Sequence, residues 1–131
     1  MILLDTHIAV WLATDPAQLR ADEVAAILEP ENEILVSAVS IWEMRIKWMK
    51  RFQSGARKGP VDPRDLLSAL RQMNIVVLPL AAEHASADLQ VPLNQGDPFD
   101  NLLLTVAQEM GGRLLTRDAA MRGHPLAFHA G

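Results

Sequence analysis

Four short apolar runs punctuate the chain: ILLD (2–5), ILVS (34–37), IVVLP (75–79) and RLLT (113–116). Each is continuous rather than alternating, which is the pattern of strands covered on both faces. The segments between them, at about 7–13, 20–29, 38–52, 63–74, 81–90 and 98–111, repeat apolar residues with helical period. HPLAF (124–128) predicts a last strand, which Pro125 confines to a sheet edge or a strand start. Strands alternating with helices predict an α/β chain: a three-layer α/β/α sandwich around a central, mainly parallel sheet of four to five strands. QSGARKGP (53–60) is the clearest loop, and no internal repeat is visible.

Open parallel sheets gather ligands beyond the carboxyl ends of their strands. The residues just after each strand therefore carry the candidate chemistry. Asp5-Thr6-His7 follow the first, Ser37 and a helix bearing Ser40 and Glu43 follow the second, and Thr116-Arg117-Asp118 follow the fourth. Asp5 and Asp118 also suit helix caps. Glu43 lies inside a helix and caps nothing. It shares a polar sector with Ser40, Lys47 and Lys50, between two apolar stripes, Val39-Trp42-Ile46-Met49 and Ile41-Met44-Trp48. One reading of Glu43 is a surface pair with Lys47, contributing roughly 0.2–0.5 kcal/mol. The other is a carboxylate beside the core, with lysines behind it for a polyanion. The second stripe is core, or a surface for self-association or a partner.

The spacing Asp-Pro-x-Asp occurs twice, in VDPRDLLSAL (61–70) and GDPFDNLLLT (96–105). In both, the first Asp suits an N-cap, the Pro the first helical residue, and the second Asp the favourable end of the helix dipole. The helical wheel separates them. Leu66, Ala69, Leu70 and Met73 form the buried stripe of the first helix, and Asp65 lies outside it. Leu103, Val106, Ala107 and Met110 form that of the second, with Leu104 at its margin, and Asp100 lies within it. Asn101, Thr105, Gln108 and Glu109 form the wet side. A carboxylate facing inward is costly unless it is paired or binds a cation.

With 131 residues, half of them hydrophobic, residues 1–131 suit a single domain with a sizeable core. The absence of cysteine excludes disulfides and thiolate metal sites and fits a reducing cytoplasm. No glycine-rich phosphate loop follows a strand, and no run is long and apolar enough to span a membrane. The net charge of −4 hides an asymmetry. Arg45, Lys47, Lys50, Arg51, Arg57 and Lys58 cluster within 45–58, and no acid falls between Glu43 and Asp62. Lys47, Lys50, Arg57 and Lys58 are candidate phosphate contacts. If Asp5, Glu43, Asp100 and Asp118 converge, two charges 4 Å apart repel by about 4 kcal/mol at an effective dielectric of 20. An all-oxygen set of this kind suits Mg2+ or Mn2+ rather than zinc. His7, His84, His124 and His129 show no ligand spacing, and Trp11, Trp42 and Trp48 read as core or interface rather than base-stacking platforms.

LLDTH, SAVSIWEM, DPFDNLLL and LLTRDAAM, in this order and spacing, resemble the PIN-domain ribonucleases, and most of all the VapC-type toxins of bacterial toxin–antitoxin pairs. The resemblance spans essentially the whole chain. It implies a PIN-like fold and an acidic site of Asp5, Glu43, Asp100 and Asp118 that binds Mg2+ or Mn2+ and hydrolyses RNA. Thr6 and Thr116 would support the carboxylates, and Asp97 would remain a helix cap. It further implies a cytoplasmic homodimer silenced by a VapB-like antitoxin. A housekeeping RNA-processing nuclease and a non-catalytic binding module of the same fold are the alternatives. Gly96 and Asn101 stand where many relatives carry basic residues, which bears on substrate or antitoxin choice.

Overall fold

The computed structural model describes residues 1–128; His129 lies outside them. Strand β1 (Ile2–Leu4) leads into helix α1 (Thr6–Thr14), a 3-10 turn (Pro16–Gln18) and α2 (Ala21–Leu28). Then come β2 (Ile34–Ser37), α3 (Ala38–Met49), α4 (Pro63–Gln72), β3 (Val76–Leu78) and the short α5 (Ala82–Ser86). The chain continues through α6 (Pro98–Glu109), β4 (Arg113–Leu115), a second 3-10 turn (Ala119–Met121) and β5 (Ala127–Phe128). The sheet order is β3-β2-β1-β4-β5 and every described pairing is parallel.

Alternation along the strands divides the core in two. Ile2, Leu4, Val36 and Leu115 pack with Ile8, Ala9 and Val10 of α1 and Leu66 and Leu70 of α4. Leu3, Leu35 and Leu114, one residue out of phase, pack with Leu103, Leu104, Val106 and Ala107 of α6. Both strand faces are covered, which is why the runs read as continuous apolar stretches.

Helix α3 belongs to both layers. Val39 enters the α6 side and Met44 the α1/α4 side. This straddling position accounts for Val39 of the first stripe and for Ile41 and Met44 of the second. The exposed apolar residues come from the first stripe instead: Trp42 is 50 % exposed and Met49 64 %. Three further expectations are corrected. The fifth helix covers only Ala82–Ser86, not 81–90, and α3 ends at Met49, not at residue 52. Thr105, assigned to the wet side of α6, is 2 % exposed, its hydroxyl donating to the Asn101 carbonyl at 2.8 Å.

The order places β2 and β4 on either side of β1. The chain runs outward from β1 to β2 and β3, then returns to add β4 and β5 on the other side. That reversal opens a crevice at the carboxyl ends of β1 and β4.

Candidate active site

Asp5, Glu43, Asp97, Asp100 and Asp118 line one cleft of about 290 Å3 at that crevice, together with Thr6, His7, Ile8, Trp11, Lys47 and Arg117. All four acids expected from the sequence are brought together there.

Asp5 follows β1 and caps α1, its Oδ1 accepting the Thr6 backbone N–H at 2.8 Å. Its Oδ2 accepts the Thr116 hydroxyl at 2.6 Å, and Thr116 Oγ1 in turn accepts the Asp118 backbone N–H at 3.0 Å. One hydroxyl thus ties the end of β1 to the turn after β4. Burial pushes the Asp5 carboxyl above its usual range, against the lowering effect of the Thr116 hydrogen bond. Asp118 is exposed and caps the 3-10 turn through Ala120 N–H at 2.9 Å.

Glu43 fits both readings made of it. Its Oε2 pairs with Lys47 Nζ at 3.1 Å, yet it is buried, and its Oε1 meets Thr6 Oγ1 at 2.8 Å. Thr6 Oγ1 also lies 2.8 Å from Ser40 Oγ. A hydroxyl has one proton; if Thr6 gives it to the carboxylate, Thr6 accepts from Ser40. Ser40, fully buried, is a supporting residue whose partner the wheel does not reveal.

The two Asp-Pro-x-Asp motifs diverge as the wheel indicates. In α4, Asp62 caps Arg64 N–H at 2.9 Å and Asp65 is exposed. In α6 the box closes: Asp97 Oδ1 accepts Asp100 N–H at 2.9 Å and Asp100 Oδ2 accepts Asp97 N–H at 3.2 Å. Asp100 is 8 % exposed. Burial first, then the charges of Asp97, Asp5 and Asp118, push its carboxyl up to about 6. Gly96 precedes it with φ +101°, and a Cβ there would stand 2.8 Å from Asp100 Oδ2. No basic residue fits that place without moving the carboxylate.

The sequence does not reveal the wall behind the acids. Glu23 of α2 is a buried carboxylate accepting Arg20 N–H at 2.7 Å, Arg117 Nε at 2.6 Å and Arg117 Nη2. Those hydrogen bonds from Arg117 hold the Glu23 carboxyl below its usual range. Arg117 Nη2 also donates to the Gln18 carbonyl at 2.6 Å, and the guanidinium covers Trp11 at 4.5 Å. Trp11 is therefore both a half-buried residue packed against the α1/α4 core and a wall of the cleft.

The basic cluster divides. Lys47 lines the cleft, whereas Lys50, Arg57 and Lys58 do not. Arg57 donates to the Trp48 carbonyl at 2.7 Å and covers the Trp48 ring at 4.6 Å, and Lys58 lies over Phe52 at 5.3 Å. They order the loop after α3.

No salt bridge neutralises Asp5, Asp100 or Asp118 among the described residues. Nor do any three carboxylates or imidazoles there converge at metal-ligand spacing. The donor chemistry still fits a hard cation: the acids offer only oxygen, and the two buried ones are disfavoured as uncompensated anions.

Comparison with known proteins agrees with this geometry. The family model described as PIN domain matches residues 2–124. Ribonuclease VapC22 of Mycobacterium tuberculosis is 31 % identical over 126 residues, covering 94 % of this chain and 91 % of that protein. The acid-lined crevice at the strand reversal and the match across nearly all of the sequence agree: the chain belongs to the PIN-domain family and is VapC-like within it.

Proposed function

We propose that the protein is a metal-dependent endoribonuclease that hydrolyses RNA phosphodiester bonds and serves as the toxin of a toxin–antitoxin module. The observation that carries this reading is Asp100. It is a buried carboxylate without a salt-bridge partner among the described residues, facing Asp5 and Asp118 across the cleft of a VapC-like chain.

In this reading residues 1–131 form one PIN domain, and Asp5, Glu43, Asp100 and Asp118 hold Mg2+ or Mn2+. When bound, the ion supplies charge neutralisation for the phosphate and activation of water. The chain's own residues do the positioning. Thr116 orients Asp5 and, through the Asp118 N–H, the following turn. Thr6 and Ser40 hold Glu43 from one side while Lys47 pairs with its other oxygen. Lys47 lines the cleft wall, which supports it as the residue of the basic cluster that meets a phosphate.

The test is cleavage of RNA with Mg2+ or Mn2+, stopped by EDTA and lost in Asp5→Asn and Asp100→Asn. Unimpaired cleavage by both variants would sink the assignment.

A cytoplasmic homodimer held by a VapB-like antitoxin completes the proposal. A groove of about 560 Å3 between α3, α4 and β3, lined by Ile41, Trp42, Leu67 and Val77 among others, supports partner contact. Among the described residues no helix is long and apolar enough to cross a membrane.

A further inference from the structure

A second recess, of about 310 Å3, adjoins the acid cleft and shares His7, Trp11 and Lys47 with it. Its character is different. Val10 and Met44 from the core and Pro60 from the loop after α3 supply apolar walls. Polar groups at its margin are already engaged within the chain: the Thr14 hydroxyl donates to the Val10 carbonyl at 2.7 Å, and the Gln18 amide to Asp15 at 3.2 Å. Such a lining does not suit a second ion or a phosphate. Its volume lies at the lower end of ligand pockets, the size of one ring system rather than of a helix face.

The ring that joins the two recesses is held in advance. The Arg117 guanidinium lies 4.5 Å from the Trp11 centroid and is itself clamped by Glu23 and the Gln18 carbonyl. His7 meets Trp11 edge-on, with centroids 5.9 Å apart. At the seam, Lys47 Nζ reaches Glu43 at 3.1 Å and His7 Nε2 at 3.4 Å. An acidic cleft, an ammonium and a braced aromatic notch follow one another, matching the order of scissile phosphate, backbone and base.

Resting on the nuclease reading, we propose that this recess seats a nucleobase flanking the scissile phosphate of single-stranded RNA. Trp11 is the platform, and Arg117 with Glu23 are the residues that position it. Stacking on an aromatic side chain accepts any base, so the subsite contributes affinity and register more than sequence choice.

The test uses the full chain in EDTA and a mixed-sequence hexaribonucleotide spanning a cleavage site mapped with Mg2+. Two further hexamers each carry one abasic residue, on one or the other side of the scissile bond. The Trp11 indole N–H resonance is the reporter. The intact hexamer should move it. One abasic hexamer should bind about tenfold or more weakly and leave the resonance in place. Trp11→Ala should bind the intact hexamer as weakly as the abasic one and no longer distinguish them. His7→Ala, at an exposed position where the fold is not at risk, should lose affinity several-fold. Equal affinities for intact and abasic hexamers in the native chain, or a bound hexamer that leaves Trp11 unmoved, would overturn the subsite. Equal affinities are also the result expected if the recess takes a partner's side chain. A chain that cleaves RNA yet ignores the abasic change loses the subsite alone. A chain that cleaves no RNA with Mg2+ or Mn2+, and so yields no site to map, loses the nuclease reading and with it the subsite.

Discussion

The Thr116 hydroxyl donates to Asp5 Oδ2 at 2.6 Å across 111 positions of sequence, and Thr116 Oγ1 itself accepts the Asp118 N–H. Thr116 is almost fully buried, so removing its oxygen leaves both groups without that partner. Thr116→Val keeps the shape and deletes the contact. RNA cleavage by this variant should fall by roughly 10–100-fold, the range found when a residue supporting metal ligands is lost. Its Tm should drop by a few degrees. Full activity with a lowered Tm would show that the contact is structural only.

Asp100→Asn should separate function from stability. Asn preserves an acceptor for the Asp97 N–H and removes a charge whose burial is unfavourable. In EDTA at pH 7 the variant should be more stable than the native chain by about 1–2 kcal/mol, allowing for screening. Its activity should be abolished. Asp65→Asn, at an exposed position, should leave both unchanged. Melts of all three proteins in EDTA, alongside cleavage assays with Mg2+, decide the matter.

The pH dependence follows from the same group. The folded Asp100 carboxyl titrates at about 6 against an ordinary value of 3.8. Between those values the folded chain holds a proton that the unfolded chain has released, so stability falls as pH rises through the window. Asp5 acts in the same direction. Glu23 acts oppositely: its contribution is present above 4.5 and is lost as pH falls through its depressed folded value. Melts in EDTA should therefore show these groups favouring about pH 4–5 over neutrality. Mg2+ should raise Tm at pH 7 and lose that effect below about 6, as protons displace the ion. A Tm in EDTA that climbs steadily from pH 5 to 7 would contradict this account.

Glu23 and Arg117 should respond asymmetrically. Arg117→Met leaves a buried carboxylate unpaired and should cost about 3–5 kcal/mol. Glu23→Gln leaves a partly exposed guanidinium that reaches water and still has the Gln18 carbonyl, so its cost should be clearly smaller. Denaturant unfolding of the two variants gives the comparison, and equal costs would argue against a desolvated carboxylate as the cause.

Gly96→Ala strains a φ of +101° and sets a methyl 2.8 Å from Asp100 Oδ2. Loss of about 1–3 kcal/mol is expected from the backbone conformation. Cleavage should fall further than Tm predicts, because the methyl displaces a proposed metal ligand. Activity that tracks stability alone would show that Asp100 accommodates it.

The legible part of this protein was set by periodicities that neighbouring residues impose on one another. Continuous apolar runs marked the strands, because a parallel sheet buries both faces. The wheel separated Asp100 from Asp65, because an inward azimuth is a property of one helix. Asp5, Asp100 and Asp118 stand out because each follows a strand or opens a helix at one sheet edge, and Glu43 because it lies in the polar sector of the helix that follows β2. The sequence did not show Glu23, which reads as an ordinary acid in the first turn of α2 until Arg117 reaches it from 94 positions away. Ser40 and the two stripes of α3 were ambiguous for the same reason, since a helix that straddles two core layers has no single buried side. Arg57 reads as a candidate phosphate contact, and only the tertiary structure shows that its guanidinium meets the Trp48 carbonyl and ring. Local spacing determines which face a side chain takes on its own element. Which distant carboxylate, carbonyl or ring it then meets is decided only when the layers pack, where burial makes every unpaired polar group costly.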